Sequence, residues 1–418
     1  LSEDARLVEA TEAAGLCFIG PPAKAMRIAG DKIAAKRLAE RCGIPVVPWS
    51  GAALESLADV ERFVATIGYP IILKAAAGGG GRGIRVVRES SALATAFSSA
   101  AGEALRAFGD GRVFVERCVD RARHVEVQLV VDGAGHGVAY GVRDCTLQRR
   151  HQKVMEECPG PWVTPEQVSR LEAWALTFAR EAGYRNAGTV EFIVDLDRQG
   201  QICFMEMNAR LQVEHPATEL VYGIDLVRLQ LDVAMGLPLQ PAPAPRGASI
   251  ELRLNAEDPD NGFAPAPGRL TRFLAPLGPG IRVDSGVTQG SDVPADFDSN
   301  IAKILAFGAT RAEALARLRR ALSETVVMVD GGATNKGLLA DLLVDPAVLS
   351  GTIDTRWLDR RLAGPDTFAS EGGRAVVAAP ADRPWAAEAL AVAAVLGFRE
   401  DGRRDLANFY SAVGRGVP

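Results

Sequence analysis

Thr189-Val190-Glu191-Phe192-Ile193-Val194-Asp195, a polar turn from Leu196 to Gln201, then Ile202-Cys203-Phe204-Met205-Glu206-Met207-Asn208: this stretch reads as two β-strands joined in a hairpin. Centring the turn between Arg198 and Gln199 sets Glu191 opposite Glu206 and Ile193 opposite Phe204. Side chains alternate faces along a strand, so Asn208 shares the face of Glu206. Like charges placed opposite one another destabilise a sheet. Two carboxylates and an amide oxygen gathered there therefore call for a cation, and a donor set of oxygens alone favours magnesium or manganese. The competing reading is a different register with one glutamate in solvent. Asp195 and Asp197 read as turn residues.

Working outward, Arg210, Gln212 and Glu214 follow at a spacing of two, interleaved with Leu211, Val213 and His215. An extended segment points all three polar groups one way. A guanidinium and an amide can hold a small oxyanion, and a carboxylate within reach can remove its proton. A solvated strand edge has the same pattern; contiguity with Glu206 and Asn208 favours the site. His215, before Pro216, reads as structural.

Upstream, Lys74 closes the apolar run Ile71-Ile72-Leu73, and Gly78-Gly79-Gly80-Gly81-Arg82-Gly83 follows. Such a run exposes backbone N–H groups and lets the chain close over phosphates. Gly78, Gly80 and Gly83 fit a dinucleotide fingerprint, but Ile84–Val87 reads as a strand where that fingerprint needs a helix. No Gly-Lys-Ser/Thr ends the run, which excludes a P-loop, and the lysine precedes the glycines, which excludes the protein-kinase order. A glycine-rich hairpin lid with a lysine at its base remains, against the plainer reading of a flexible solvent loop. The basic stretch Arg143 to Lys153 reads either as a solvated face or as a seat for a polyphosphate and a second anion.

Helix, strand and turn signals alternate along most of the chain, an α+β or α/β pattern. Residues 3–14 read as helix, Leu16–Ile19 as a short buried strand, and the region from Gly20-Pro21-Pro22 to Cys42 as helical, with Gly43 at its C-terminal cap. Ser56 and Asp59 resemble a capping box. A helix is expected from about Ser91, strands at 112–116, 123–131 and 138–142, and a helix from Thr164 to Ala182. Gln240–Arg246, with Pro241, Pro243 and Pro245, is an exposed connector. Strands at 250–255, 269–273 and 281–284 and a helix after Thr310 complete the body. Gly364 to Pro384 reads as a linker, and a helical tail including Ala386 to Phe398 as part of another module.

The 418 residues carry a formal net charge of −5, 48% hydrophobic and 24% charged residues, the balance of a soluble globular protein of two or three domains. That charge gives no argument for nucleic acid or an anionic membrane. No stretch approaches the roughly 20 apolar residues of a membrane span, and no signal peptide is evident. Six scattered cysteines without a Cys-x-x-Cys pair fit reduced thiols and a cytoplasmic location. A start at Leu1, directly in a helical pattern, reads as a fragment.

The motifs together resemble the biotin carboxylase component of biotin-dependent acyl-CoA carboxylases, a branch of the ATP-grasp enzymes. The resemblance spans about residues 1–360. It rests on Gly30-Asp31-Lys32, Lys74 with the glycine loop, Arg123-His124-Val125-Glu126, Arg143 to Glu157, Glu206 to Pro216, Asn255-Ala256-Glu257-Asp258 and the region of Arg282. It implies an ATP-grasp fold with a remnant of an N-terminal α/β subdomain at 1–46, a lid at 47–118, a larger antiparallel-sheet subdomain at 119–363, and a linker with the start of a further module at 364–418. Most of the N-terminal subdomain is expected to be missing. Ala391 to Pro418 resembles the linker of single-chain or fused carboxylases.

By the same resemblance, Lys32 and Lys74 contact ATP phosphates under Gly80 and Gly81. The hinge Glu116, Arg117, Cys118 and Val119 reads adenine, and His124, Gln148 and His151 line the nucleotide pocket. Glu191, Glu206 and Asn208 hold two magnesium or manganese ions. Lys153, Arg210, Gln212 and the Val213 backbone bind bicarbonate, Glu214 is the general base, and Arg282 stabilises the biotin enolate. The implied partners are a biotin carrier domain and a carboxyltransferase domain, with an oligomeric enzyme. The alternatives are another carboxyphosphate-forming ligase of the carbamoyl-phosphate synthase kind, and a nucleotide-binding fragment without turnover.

Overall fold

Side-chain caps set the limits of the first helices. Asp4 accepts the Arg6 amide to open α1 (Ala5–Ala13), and Asp31 accepts the Ile33 and Ala34 amides, each at 2.9 Å, to open α3 (Lys32–Arg41). Asp31 thereby breaks the expected single helical region in two, the first part being α2 (Ala23–Gly30). Leu16–Ile19 is not a strand: after Gly15 at φ +73° the segment runs as coil, with Leu16 65% and Ile19 46% exposed. The computed structural model describes residues 2–76 and 83–363. Gly78–Gly81, Arg82 and the expected linker and tail from Gly364 onward lie outside the described residues.

A second unit begins with α4 (Leu57–Ile67), capped by Ser56, whose hydroxyl also donates to Asp59 at 2.7 Å. Its sheet is β1 (Ile71–Ala75), β2 (Ile84–Val87) and β3 (Val113–Arg117), in the order β2-β1-β3 and antiparallel throughout. A 3₁₀ turn at Ser90–Ala92 delays the expected helix to α5 (Leu93–Phe108). Val60, Val64, Ile71, Leu73 and Val115 give this unit a core of its own. Gly83, at φ +71°, ends the loop between β1 and β2, where a Cβ would lie 2.8 Å from that of Ala75.

The body is built on β4 (Ala122–Val131), β5 (Gly137–Arg149), β6 (Gln152–Cys158), β7 (Asn186–Asp195), β8 (Gln201–Asn208) and β9 (Ala248–Asn255). Between them run α6 (Pro165–Glu181), α7 (His215–Tyr222) and α8 (Leu226–Ala234). The short β10 (Glu257–Asp258) and β11 (Ala264–Pro265) pair with each other, while β12 (Gly268–Leu274) lies between β14 (Asp292–Val293) and β16 (Val326–Asp330). Adding β13 (Ile281–Ser285) and β15 (Asn300–Gly308) completes an antiparallel sheet in the order β13-β15-β9-β6-β5-β4-β7-β8 among the described residues. Then follow α9 (Arg311–Glu324), α10 (Lys336–Leu342), α11 (Pro346–Ser350) and α12 (Trp357–Ala363).

Among the described residues the sheet packs into two large apolar cores. One packs β4, β7 and β8 against α1 to α3 and α6 through Val125, Phe178, Phe192 and Phe204. The other packs β6, β9 and β15 against α9 and α10 through Met155, Leu252, Ile304 and Leu318. The opposite face of the central strands carries the buried polar residues Glu126, Gln128, Glu191 and Glu251 and an apolar cluster of Val130, Tyr140 and Ala187 against α8.

Candidate active site

The hairpin of β7 and β8 pairs Glu191 with Glu206 and Thr189 with Asn208, as the sequence pattern predicts. Beyond that point the register shifts: Phe192, not Ile193, faces Phe204, because the pairing skips Met205. A bulge of this kind inserts one unpaired residue and re-aims its side chain. Here Met205 lines a cleft with Val47, Ile72, Lys74, Glu116 and Val119. Apolar Val47, Ile72, Val119 and Met205 share this lining with the charged Lys36, Lys74, Glu116 and Arg117.

Lysines enter this cleft from two elements. Lys32 and Lys36, one helical turn apart on α3, pair with Glu206 (2.7 Å) and Glu116 (2.7 Å) respectively. Lys74 of β1 is the second cation on Glu116. Burial raises the Glu116 carboxyl, but Lys36 and Lys74 together bring it down to about 2. Lys36 was missed by the sequence reading, although its four-residue spacing from Lys32 was the available signal. Arg117 also lines the cleft and pairs with Asp195 at 2.7 Å.

Deeper in, Lys153 of β6 reaches three carboxylates: Glu214 at 2.5 Å, Glu126 at 2.7 Å and Glu191 at 3.1 Å. Burial disfavours its charge, but these neighbours hold Lys153 protonated far above the usual range. Burial raises Glu191, and Lys153 and His124 outweigh it to keep the carboxylate ionised. Glu191 Oε1 also accepts from Asn208 (2.9 Å) and Gln212 (3.3 Å). His124 Nε2 lies 3.1 Å from Glu191 Oε2, and its Nδ1 2.7 Å from Gln148 Nε2. His151, at φ +68° in the turn between β5 and β6, is lowered chiefly by burial. Of the basic stretch, Arg143 is wholly buried, bonded through Nε to Glu126 at 2.6 Å. It is a core residue, not part of a solvated face.

The segment 210–214 is not the expected strand. It bends after β8 and turns directly into α7, with Pro216 in the first helical turn. The turn still gathers the predicted residues: Arg210 donates to Gln212 Oε1 (3.2 Å), Gln212 to Glu191, and Glu214 sits wholly buried on Lys153. Burial raises the Glu214 carboxyl; Lys153 and Arg253 prevail and lower it. Arg253 of β9 donates to Glu214 Oε2 at 3.0 Å and to Glu156 Oε1 at 2.7 Å, a contact sequence reading did not find. Lys303 of β15, also missed, donates to the Val213 carbonyl at 2.8 Å. Arg282 pairs instead with Glu219 (2.7 Å) and Asp284.

Two carboxylates and an amide on one strand face, beside a cleft rimmed by lysines, can hold a divalent ion and a polyphosphate. A buried carboxylate between two cations can accept a proton from a small anion. Such a combination on an antiparallel sheet with a hairpin lid defines an ATP-grasp ligase. The chain matches two family models, "Carbamoyl-phosphate synthase L chain, ATP binding domain" over residues 31–242 and "Biotin carboxylase C-terminal domain" over residues 251–360. It is 43% identical over 366 residues to the biotin carboxylase of Pseudomonas aeruginosa, covering 87% of this chain and 80% of that protein. With the biotin-dependent acyl-coenzyme A carboxylase alpha3 subunit of Mycobacterium leprae it shares 44% identity over 365 residues, 86% of this chain and 60% of that one.

Among solved structures it resembles the Campylobacter jejuni biotin carboxylase in complex with a β,γ-ATP ligand, at 40% identity and a TM-score of 0.83 over 86% of this chain and 80% of that one. The biotin carboxylase domain of Hydrogenobacter thermophilus 2-oxoglutarate carboxylase, solved as a dimer with MgADP, ADP and bicarbonate, has 38% identity, the same TM-score of 0.83 and coverages of 86% and 80%. The chain belongs to the biotin carboxylase family, ligases that carboxylate biotin at the expense of ATP. The match at 251–360 separates it from the carbamoyl-phosphate synthase alternative. Among the described residues no helix is long and apolar enough to cross a membrane.

Proposed function

We propose that the cluster around Lys153 is where bicarbonate is activated, with Glu214 as general base. The observation that carries this reading is Glu214 itself: wholly buried, ionised, and held between Lys153 at 2.5 Å and Arg253 at 3.0 Å. Bicarbonate binds to Lys153, Arg210, Gln212 and the Val213 backbone, and Glu214 takes its proton. The oxyanion attacks the γ-phosphorus of ATP and the bond to ADP breaks, giving carboxyphosphate. Its decay yields CO₂ and phosphate; the phosphate takes the ureido proton of biotin, and the nitrogen attacks CO₂. Arg282 stabilises the biotin enolate, and Arg253 is the second cation on the base after Lys153.

Lys32 and Lys74 release their carboxylates to bind ATP phosphates. The hinge Glu116 to Val119 borders the adenine, and His124, Gln148 and His151 line the nucleotide pocket. Glu191, Glu206 and Asn208 would hold two divalent ions, magnesium or manganese, which would supply charge neutralisation for the transferring phosphoryl group. Closure of the lid keeps water from carboxyphosphate. Residues 47–118 form the lid and 119–363 the body, with 1–46 preceding them. The carboxyl group then passes with biotin on its carrier domain to a carboxyltransferase. Six unpaired cysteines accord with a cytoplasmic setting.

Glu214→Gln should lower bicarbonate-dependent ATP cleavage by about 10² or more while ATP still binds. Parent-like turnover would remove Glu214 from this role, and cleavage indifferent to biotin would contradict the acceptor.

A further inference from the structure

Beside the Glu214–Arg253 pair lie two carboxyl groups for which the reaction scheme has no use. Glu156 of β6 and Glu251 of β9 are Cα partners in the sheet, and both are 0% exposed. Residues directly opposite in an antiparallel pair have Cβ atoms about 4.5–5.5 Å apart, so the two carboxyl groups occupy one small space. Glu156 Oε1 accepts from Arg253 Nε at 2.7 Å, whereas Glu156 Oε2 and both oxygens of Glu251 lack hydrogen-bond partners among the described residues. Buried, unpaired acceptors are strongly unfavourable, and an isolated buried carboxylate takes up a proton before it stays charged.

The charged groups around Glu251 are already committed. Arg253, two residues along β9, is held by Glu156 and Glu214. Lys303, opposite Arg253 on β15, donates to the Val213 carbonyl and pairs with Asp284 at 3.4 Å. Lys153 of β6 is shared among Glu126, Glu191 and Glu214. From α7, His215 bonds to the Gln212 carbonyl and Glu219 pairs with Arg282. On the other face of β9, Leu252 and Leu254 join the apolar core against α9 and α10.

We propose that Glu251 is kept protonated and donates to Glu156 Oε2, and that this acid pair makes Glu156 the anion that aims Arg253 at Glu214. Glu251 is thus a positioning residue for carboxylation, an assignment that rests on the reading of Glu214 above. Burial, followed by repulsion from Glu156, pushes Glu251 far above the ordinary carboxyl range against the pull of Lys303 and Arg253. Glu156 is raised by burial too, but Arg253 holds it back, so the shared proton resides on Glu251.

The test compares the parent with Glu251→Gln, whose amide N–H can still donate to Glu156, and Glu251→Leu, which cannot donate. Infrared spectra at neutral pH should show a protonated carboxyl band in the parent that is missing from Glu251→Gln. Because the folded carboxyl is raised, the parent binds more protons folded than unfolded. Its denaturation midpoint should therefore fall relative to Glu251→Gln as pH climbs from about 5 to about 9. In bicarbonate-dependent ATP cleavage, Glu251→Gln should stay within about twofold of the parent, and Glu251→Leu should lose about tenfold in kcat with KM for ATP unchanged. A missing band, parallel pH profiles, or equal kcat losses in the two variants would overturn the proposal. The spectrum and the stability profile need no turnover. Loss of the acid pair with Glu214→Gln still inactive refutes this inference alone, whereas an intact acid pair with Glu214→Gln active refutes the reading of the base.

Discussion

At Glu116 the buried ammonium of Lys36 and the half-buried one of Lys74 meet one carboxylate, and the balance is asymmetric. Removing the anion leaves Lys36 and Lys74 facing each other, and Lys36 is already lowered by burial. Breaking such a buried pair from one side typically costs about 3–5 kcal/mol, so Glu116→Gln should lose at least about 3 kcal/mol at neutral pH. The sign of the pH dependence follows from the folded carboxyl lying at about 2, below its ordinary 4.5. Its contribution is complete above about pH 5 and fades toward about pH 2. Denaturant midpoints of parent and variant should accordingly converge on acidification; a constant gap would mean that Glu116 is not the titrating group. The pairing of Glu191 with Glu206 was legible from the hairpin pattern, and the place of Asn208 from alternation along the second strand. Lys36 and Arg253 were not, since each depends on a partner far away in sequence: Glu116 for the first, Glu214 and Glu156 for the second.

Among elements, the hairpin at 189–208 was legible in direction and in the pairing that matters, but regular alternation cannot reveal the bulge at Met205. Spacing at 210–214 also misled: polar residues at intervals of two fit a strand and equally a turn that coils into α7. Pro216, suited to the first turn of a helix, was the counter-signal. In the lid, Gly83 combines φ +71° with a close approach to Ala75. Gly83→Ala should cost about 1–2 kcal/mol, the usual penalty for a side chain in the left-handed region, read from the urea midpoint. An unchanged midpoint would show that the end of the β1–β2 connection adjusts freely.

For the molecule as a whole, motifs announced the family while the strand order stayed hidden. The order depends on pairings such as β6 with β9, which join residues about a hundred positions apart that no local period encodes. Ligand linkage acts at this scale. ATP with magnesium at about 100 times its Kd should stabilise the fold by about 2.7 kcal/mol. In Glu206→Gln the increment due to magnesium should vanish while that of nucleotide alone persists; an undiminished magnesium increment would argue against the paired-carboxylate site.

The two family models divide the chain near the exposed prolines at 241–245, yet β6 and β9 on either side of that divide are hydrogen-bonded neighbours in one continuous sheet. A nick in that connector would free no independent module. It would leave two fragments, each with a bare row of N–H and C=O groups matched to the other, and each holding half of the Glu214–Arg253 contact. Their recombination without a covalent tie is what the topology favours, so the boundary drawn in sequence runs through the middle of the working machine.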